Sequence, residues 1–583
     1  MVTASVGGQA TAVDWPARLL KTELSSQAEL GDGPTTASVA GDMTAADPNS
    51  LLATAGEVSA YDLGSFTLNQ QDVPDAWKSM PVPLRGYLAL PAGSGPFPVV
   101  VLLHGRHTGC HFAPQWSESR WPCPPDGETR FDQGFAYLAA ALAAQGYLAL
   151  TIDLNGAFAF AYGATPDNYN RLAAQRSPQI VNAHLSRLAA AHRGEPVDFG
   201  VSLAGKADFS RLVLIGHSMG GGAAVFSGQQ RQGKIRPDQI QSGLGQVSGL
   251  LLLAPTPSQA IADTFAAYNL PNVPVSVLLG GCDRDIYDFS SLYYFETAAQ
   301  QSNRRHFASS VLIPGANHNF FSRALVEDDY ERQPDNQPLC ESAASTRLSR
   351  AAQETFLLDY TLAFLQAVFA PSDGSRVAAN PTQPAPRTLF GTPVLTNLLS
   401  PEAQRRSLLT LLLTNPSNHL TAALPDWLQP SPELTVQVCP ALQACGPYWR
   451  PQPLFPALLR LSWQQSSQLR VTLPSSEQNL QDFDSLQMRV AVDVTDALND
   501  AQAQSFALVL QDRQGHAARV EIPATTPALR RYPPDPRWGY QGVPVYPTAV
   551  RVPLAQFEGV DLSAIASVTL VFDQSERGVL YLA

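Results

Sequence analysis

No apolar stretch in this sequence reaches the roughly 18 residues needed to cross a bilayer as a helix, so no transmembrane segment is expected. Charge is scarce as well. Only 15% of the residues are Asp, Glu, Lys or Arg, and they leave a formal net charge of −12. That balance, with no local basic block, disfavours nucleic acid as a partner. No C-x-x-C pair occurs, which argues against a structural zinc site. The opening Met1-Val2-Thr3-Ala4-Ser5 lacks the basic-then-apolar layout of a signal peptide. Two explanations compete: a cytosolic protein, or a chain whose leader has been removed.

The six cysteines favour the second, and a secreted or periplasmic location is expected. They fall along the chain as successive neighbours: Cys110 and Cys123, Cys282 and Cys340, Cys439 and Cys445. Several pairings are open to six cysteines, and neighbour pairing is the simplest. Free buried thiols are the alternative. At 583 residues the chain exceeds what one core usually holds, so two or more domains are expected. A hydrophobic content of 45% is that of a globular protein rather than a disordered one.

The organisation follows from periodicity. Residues 1–55 are rich in Ala, Gly, Thr and Ser without a sustained period, and read as an extended or poorly ordered arm. Residues 56–370 alternate strands and helices. Val99 to Leu103 is a continuous apolar run of the kind buried on both faces of a sheet. Phe131 to Gln145 reads as a helix, Tyr147 to Ile152 as a strand and 171–193 as a long amphipathic helix. Further strands are expected at Leu212 to Ile215, Leu250 to Leu253, Val275 to Leu279 and Phe307 to Ile313, and a terminal helix at Thr346 to Phe369. This rhythm predicts an α/β fold with a mostly parallel sheet flanked by helices. Residues 371–400 carry the Pro- and Ser-rich signature of a linker. From 401 to 583, short alternating strands predict an all-β sandwich.

The chemistry centres on Gly216-His217-Ser218-Met219-Gly220. A strand precedes it and a small-residue helix follows, which is the context a nucleophile elbow requires. A serine hydroxyl is a weak nucleophile and needs a base, which in turn needs an orienting acid. The strand Val275 to Leu279 ends in Gly280-Gly281-Cys282-Asp283-Arg284-Asp285-Ile286, which offers Asp283 as the acid and Asp285 as its competitor. The last strand ends in Pro314-Gly315-Ala316-Asn317-His318, and His318 is the candidate base. His306 begins a strand and reads as structural. Backbone donors for a tetrahedral oxyanion are expected from Met219 and from Arg106 in the Leu103-His104-Gly105-Arg106-His107 loop. His107 and His111 have helical metal-pair spacing but lie in a loop with no intervening Glu, so the zinc-protease motif is not met. No metal and no cofactor are expected.

On these motifs, residues about 58 to 370 resemble the α/β-hydrolase superfamily of serine esterases and lipases. The elbow is similar to that of bacterial lipases and cutinase-like polyester hydrolases. Two features depart from the latter group. The oxyanion loop carries His104-Gly105-Arg106 in place of an aromatic residue, and an insert with Trp116 and Trp121 runs from Cys110 to Cys123. The resemblance implies hydrolysis of carboxylic esters through an acyl-enzyme, with water as the second nucleophile and polyesters among the candidate substrates. The β-rich tail resembles galactose-binding-like jelly rolls, and a carbohydrate or surface contact is the function this implies. Trp463 and Trp538 are candidate sugar platforms, although core packing is the commoner use of Trp in a sandwich.

A peptidase, an amidase or an acyltransferase shares the same triad. A catalytically inactive binding or scaffold protein is the reading from another class. The substrate pocket is expected from the Cys110 to Arg130 insert and from Asn155 to Tyr169, whose Phe158, Phe160, Tyr162 and Tyr169 fit an apolar or aromatic substrate surface and equally a buried lid contact.

Overall fold

The computed structural model describes residues 2–5, 58–71, 73–107, 109–110, 121–124, 127–165, 168–231, 245–256, 270–332, 339–370, 377, 382–409, 424–439, 458–500, 503–531 and 545–583. Nine strands form one mixed sheet: β1 (Val58–Asn69), β2 (Ser79–Ala89), β3 (Phe97–Leu103), β4 (Leu148–Ile152), β5 (Ala207–His217), β6 (Val247–Leu253), β7 (Val275–Gly280), β8 (Ala308–Ile313) and β9 (Leu395–Leu399). Their spatial order is β9-β8-β7-β6-β5-β3-β4-β2-β1. The pairs from β4 through β3, β5, β6 and β7 to β8 are all parallel. β1, β2 and β9 join antiparallel at the two margins.

The apolar runs explain why this sheet is covered on both sides. Successive residues of a strand point to opposite faces, so an unbroken run of Val and Leu needs two cores. Val99, Val101 and Leu103 enter one cluster, together with Leu250 and Leu252. Val100 and Leu102 enter the other with Leu251 and Leu253. The first face is covered by α2 (Tyr169–His192), α3 (Met219–Gln229) and α4 (Leu292–Gln300). After the short α5 (Asp329–Arg332) comes α6 (Arg350–Phe369), which covers the second face with α1 (Ala136–Ala144).

One expected boundary differs in the structure. Residues 395–399, placed in the linker by composition, form β9, pairing Leu395 to Leu399 with Leu312 to Ala308. All five are buried, and that burial outweighs the Pro-rich text before them. The arm at 1–55 is also anchored at its start: Val2–Ser5 is a strand pairing antiparallel with Arg405–Leu409 and Ser485–Val492. The remainder of the arm, 6–55, lies outside the described residues.

The C-terminal region is separate antiparallel sheet. One sheet of seven strands contains Val2–Ser5, Ser485–Val492, Thr548–Pro553 and Gly578–Leu582, and a second of five contains Ser467–Thr472, Phe506–Asp512 and Ile565–Phe572. Their shared core includes Trp463, whose ring stacks on Phe572 at 4.5 Å and whose Nε1–H donates to the Ser575 carbonyl. Trp463 is therefore a core residue and not a sugar platform, and Trp538 lies outside the described residues.

The two regions are joined by buried polar contacts. Arg489 forms a two-pronged ion pair with Glu296 on α4, its second prong at 3.1 Å, and both side chains are almost fully buried. Ser310 on β8 meets the Tyr546 hydroxyl at 3.0 Å, and Asn397 on β9 donates to the Pro547 carbonyl at 2.9 Å. A buried pair costs most when one partner is removed, because the other is left as an uncompensated charge. Arg489→Met is expected to destabilise the protein by about 3–5 kcal/mol, whereas Arg489→Met with Glu296→Leu recovers most of that loss. Denaturant midpoints of the three proteins test this, and equal midpoints for the single and double variants would contradict it.

Candidate active site

The sheet topology selects one place for a site. From β3 the chain passes through α1 to β4 on one side, then returns past β3 through α2 to β5 on the other. The loops leaving β3 and β5 diverge, and such a switch point opens a crevice at the carboxyl ends of parallel strands. The β3 loop is His104-Gly105-Arg106, and the β5 loop is the elbow.

Ser218 has φ 54° and ψ −127°, a left-handed conformation that a residue with a side chain rarely adopts. The fold imposes it. The Ser218 N–H donates to the Leu253 carbonyl at 2.9 Å, and the Ser218 carbonyl accepts from Gly221 at 2.9 Å and Thr256 at 3.2 Å. A methyl group on Gly216 would run into the Gly220 carbonyl, and one on Gly105 would stand 2.6 Å from Ser218 Cβ. Both glycines are thus demanded by close approach. Ser218 Oγ lies 3.4 Å from Thr256 Oγ1.

Asp283 follows β7 and His318 follows β8, both almost fully buried. Asp283 uses its two oxygens differently. Oδ1 accepts from the Asp285 N–H at 2.8 Å and the Ile286 N–H at 2.6 Å, which closes the turn. Oδ2 meets His318 Nδ1 at 2.8 Å. A carboxylate only accepts, so Nδ1 carries the proton and Nε2 is the basic nitrogen of the neutral ring. Nε2 is enclosed and has no hydrogen-bond partner among the described residues. Asp285, the competing acid, stands on that side instead, with Oδ2 3.4 Å from Nε2.

Burial disfavours the imidazolium of His318. The charge and hydrogen bond of Asp283 outweigh it, and with Asp285 and Asp329 they lift the His318 pKa to about 9. Asp329, on α5, accepts from the N–H groups of Arg284 (2.9 Å), His318 (3.2 Å) and Asn319 (3.0 Å), so one carboxylate ties the acid loop to the base loop. Burial and the charge of Asp283 hold its own carboxyl above the ordinary range. His217 adds a second tie. Its Nε2–H donates to the His318 carbonyl at 3.1 Å, and the two rings lie 4.6 Å apart. Burial, then the neighbouring His318 and His107, keeps His217 well below its usual pKa. His107 is also held down by burial and lies tilted against Phe131 at 4.7 Å, while His111 lies outside the described residues.

The loop expected to supply an oxyanion donor is set by His104. Its Nε2 accepts from the Leu154 N–H at 2.8 Å, so Nδ1 carries the proton and donates to the Gly105 carbonyl at 2.8 Å. Carbonyl and N–H point oppositely across one peptide plane, so the Arg106 N–H is directed away from the His104 ring. Met219 heads α3 immediately after Ser218. The side chains of both candidate donor residues meet Tyr169: the Arg106 guanidinium lies 4.7 Å from the ring centroid, and the Tyr169 hydroxyl is 3.7 Å from Met219 Sδ. Phe160 stands edge-on to Tyr169 at 4.7 Å. The Arg106 side chain is therefore part of the wall beside the site.

Arg176 holds this aromatic segment in place. From the interior of α2 its guanidinium donates to the carbonyls of Ala159 (2.5 Å) and Tyr162 (3.0 Å) and to Gln70. Burial lowers its pKa to about 10. Sequence reasoning missed Arg176, Asp329 and the role of His104. The available signal for Arg176 was a cation on the otherwise apolar face of a helix.

Disulfides close Cys110 with Cys123 and Cys282 with Cys340. The second is adjacent to Asp283. Cys439 is disulfide-bonded as well, and Cys445 lies outside the described residues. A cavity of about 560 Å³ opens behind the base loop, between Pro314, Gly315 and Leu339 on one side and Leu529, Arg530 and Arg531 on the other. It touches neither Ser218 nor Asp283 nor His318. No helix among the described residues is long and apolar enough to cross a membrane. Comparison with protein-family models and with curated proteins finds no match for this chain.

Proposed function

We propose that this chain is a serine hydrolase of the α/β-hydrolase superfamily, cleaving carboxylic esters through an acyl-enzyme. The observation that carries the reading is a buried Asp283–His318 pair at 2.8 Å together with a serine held at φ 54°, all three following parallel strands of one mixed sheet at their carboxyl ends. In the proposed cycle Ser218 Oγ attacks the ester carbonyl while Nε2 of His318 takes its proton. The Arg106 and Met219 N–H groups receive the charge that develops on the carbonyl oxygen. Nε2 then returns the proton to the leaving alcohol. Water repeats the sequence on the acyl-serine. The disulfides support a secreted or periplasmic setting for this activity. The β-sandwich is the part of the chain that would carry a carbohydrate or surface contact.

Turnover of p-nitrophenyl esters of graded acyl length by the full chain tests the reading. Hydrolysis of at least one is expected, and folded protein inert towards all of them would sink it.

The electrostatics add a pH dependence. The attacking form needs neutral His318, whose pKa is raised to about 9. The base is therefore mostly charged at pH 7 and becomes competent as pH rises. We expect kcat/KM to fall as pH drops below about 9, approaching tenfold per pH unit. An acid limb centred at or below the ordinary histidine value of about 6.5 would contradict this account of the base.

A further inference from the structure

The two nitrogens of His318 face two different carboxylates, and only one of these is accounted for by the proposed triad. Asp283 holds Nδ1. Asp285 stands 3.4 Å from Nε2, the nitrogen that must exchange a proton with both the serine and the leaving alcohol. Its backbone is fixed, because its N–H is bonded to Asp283 Oδ1. The Asp285 side chain is 62% exposed, whereas that of His318 is 1% exposed. One carboxylate thus reaches from the solvent side to an enclosed nitrogen with no hydrogen-bond partner among the described residues, while Ser218 Oγ lies near Thr256.

This position has a chemical consequence. The leaving oxygen of an ester must come within hydrogen-bond reach of Nε2 to be protonated. The atoms two or three bonds beyond that oxygen must then pass close to Asp285. An ionised carboxylate only accepts hydrogen bonds. A purely alkyl alcohol portion would strip water from it and return nothing, whereas a hydroxyl at that distance would replace the lost water.

Resting on the ester-hydrolase reading, we propose that Asp285 is a specificity-determining residue that selects hydroxyalkyl esters, whose alcohol portion carries a second hydroxyl near the ester oxygen. In the step concerned, the Ser218 Oγ–carbonyl bond forms and the carbonyl–alkoxy bond breaks. The serine proton passes through Nε2 to the leaving oxygen. Asp285 accepts a hydrogen bond from the other hydroxyl, and no bond to it is made or broken. A hydroxyl seated there also takes the carboxylate's attention from Nε2, which frees the base to face Ser218.

The test compares 2-hydroxyethyl butyrate with its near-isostere n-propyl butyrate, on the full chain and on Asp285→Ala and Asp285→Asn. The ratio of the two kcat/KM values within each protein cancels any change in the base itself. The wild type is expected to prefer the hydroxyethyl ester about tenfold, the worth of one hydrogen bond at a partly exposed site. That ratio is expected to fall to about one in Asp285→Ala, and Asp285→Asn, which keeps an acceptor oxygen, to retain part of it. A merely structural Asp285 would lower both esters together and leave the ratio intact, which would overturn the proposal. Equal rates on the two esters in the wild type would also overturn it, with the hydrolase reading still standing. If the wild type cleaves neither of these esters nor any p-nitrophenyl ester, the hydrolase reading fails and the proposal with it.

Discussion

Ser218→Ala is expected to lower kcat towards any accepted ester by about 10⁶-fold, the scale on which removal of a serine nucleophile acts in such sites. The substitution is a clean one. Alanine keeps Cβ, so the strained backbone at φ 54° and the contact with Gly105 are unchanged, and only Oγ is lost. Among the described residues the buried hydroxyl makes one long hydrogen-bond contact, to Thr256 at 3.4 Å, so its removal leaves little unsatisfied there. Stability should therefore be almost unaffected while turnover collapses. What survives is the contribution of the backbone donors and of binding. Initial rates on p-nitrophenyl butyrate, with the fold checked by thermal unfolding, measure both quantities. A loss smaller than about tenfold would remove Ser218 from the role of nucleophile, because a mere positioning hydroxyl contributes on that scale.

Asp283→Asn is expected to cost about 10⁴-fold in kcat, again with the fold retained. The asparagine carbonyl can still accept from the N–H groups of Asp285 and Ile286, so the turn that seats Asp285 stays closed. The change falls on the other oxygen. An amide in place of Oδ2 donates, so Nδ1 must accept and the ring proton moves to Nε2, where it blocks attack on the serine proton. The largest favourable contribution to the raised His318 pKa is lost at the same time. Asp285→Ala acts differently, moving the acid limb of kcat/KM to lower pH while turnover above it persists. If Asp285→Asn instead gave the 10⁴-fold loss and Asp283→Asn did not, the two acids would have to exchange roles.

Local constraints made part of this legible in the sequence. The elbow is short-range: a strand, a residue in left-handed conformation and glycines where backbones touch can be read from Ile215 to Gly221 alone. The interior strands are legible for a similar reason, since an apolar run such as Val99 to Leu103 has nowhere to go but between two layers. The acid loop was legible only down to a pair. Asp283 and Asp285 are two residues apart, and which one reaches Nδ1 depends on a turn closed by the acid's own spare oxygen.

The non-local features were not legible. β9 lies in Pro-rich sequence, and its partner strand ends more than 80 residues earlier at Ile313. Val2–Ser5 finds its neighbours at Arg405–Leu409 and Ser485–Val492. Nothing local in the sequence marks Glu296 and Arg489 as partners, since they meet only where the two regions are brought together. Asp329 carried no motif at all. Its role comes from three backbone donors on two loops, which only the folded chain collects.

The most direct test of the central claim is covalent capture. The full chain is incubated with a p-nitrophenyl alkylphosphonate, release of p-nitrophenol is counted, and the modified peptide is mapped by mass spectrometry. The account predicts one adduct per chain, on the peptide containing Ser218, appearing in step with the loss of ester turnover. An adduct at another residue with Ser218 unmodified, or full ester turnover by protein labelled at Ser218, would contradict it.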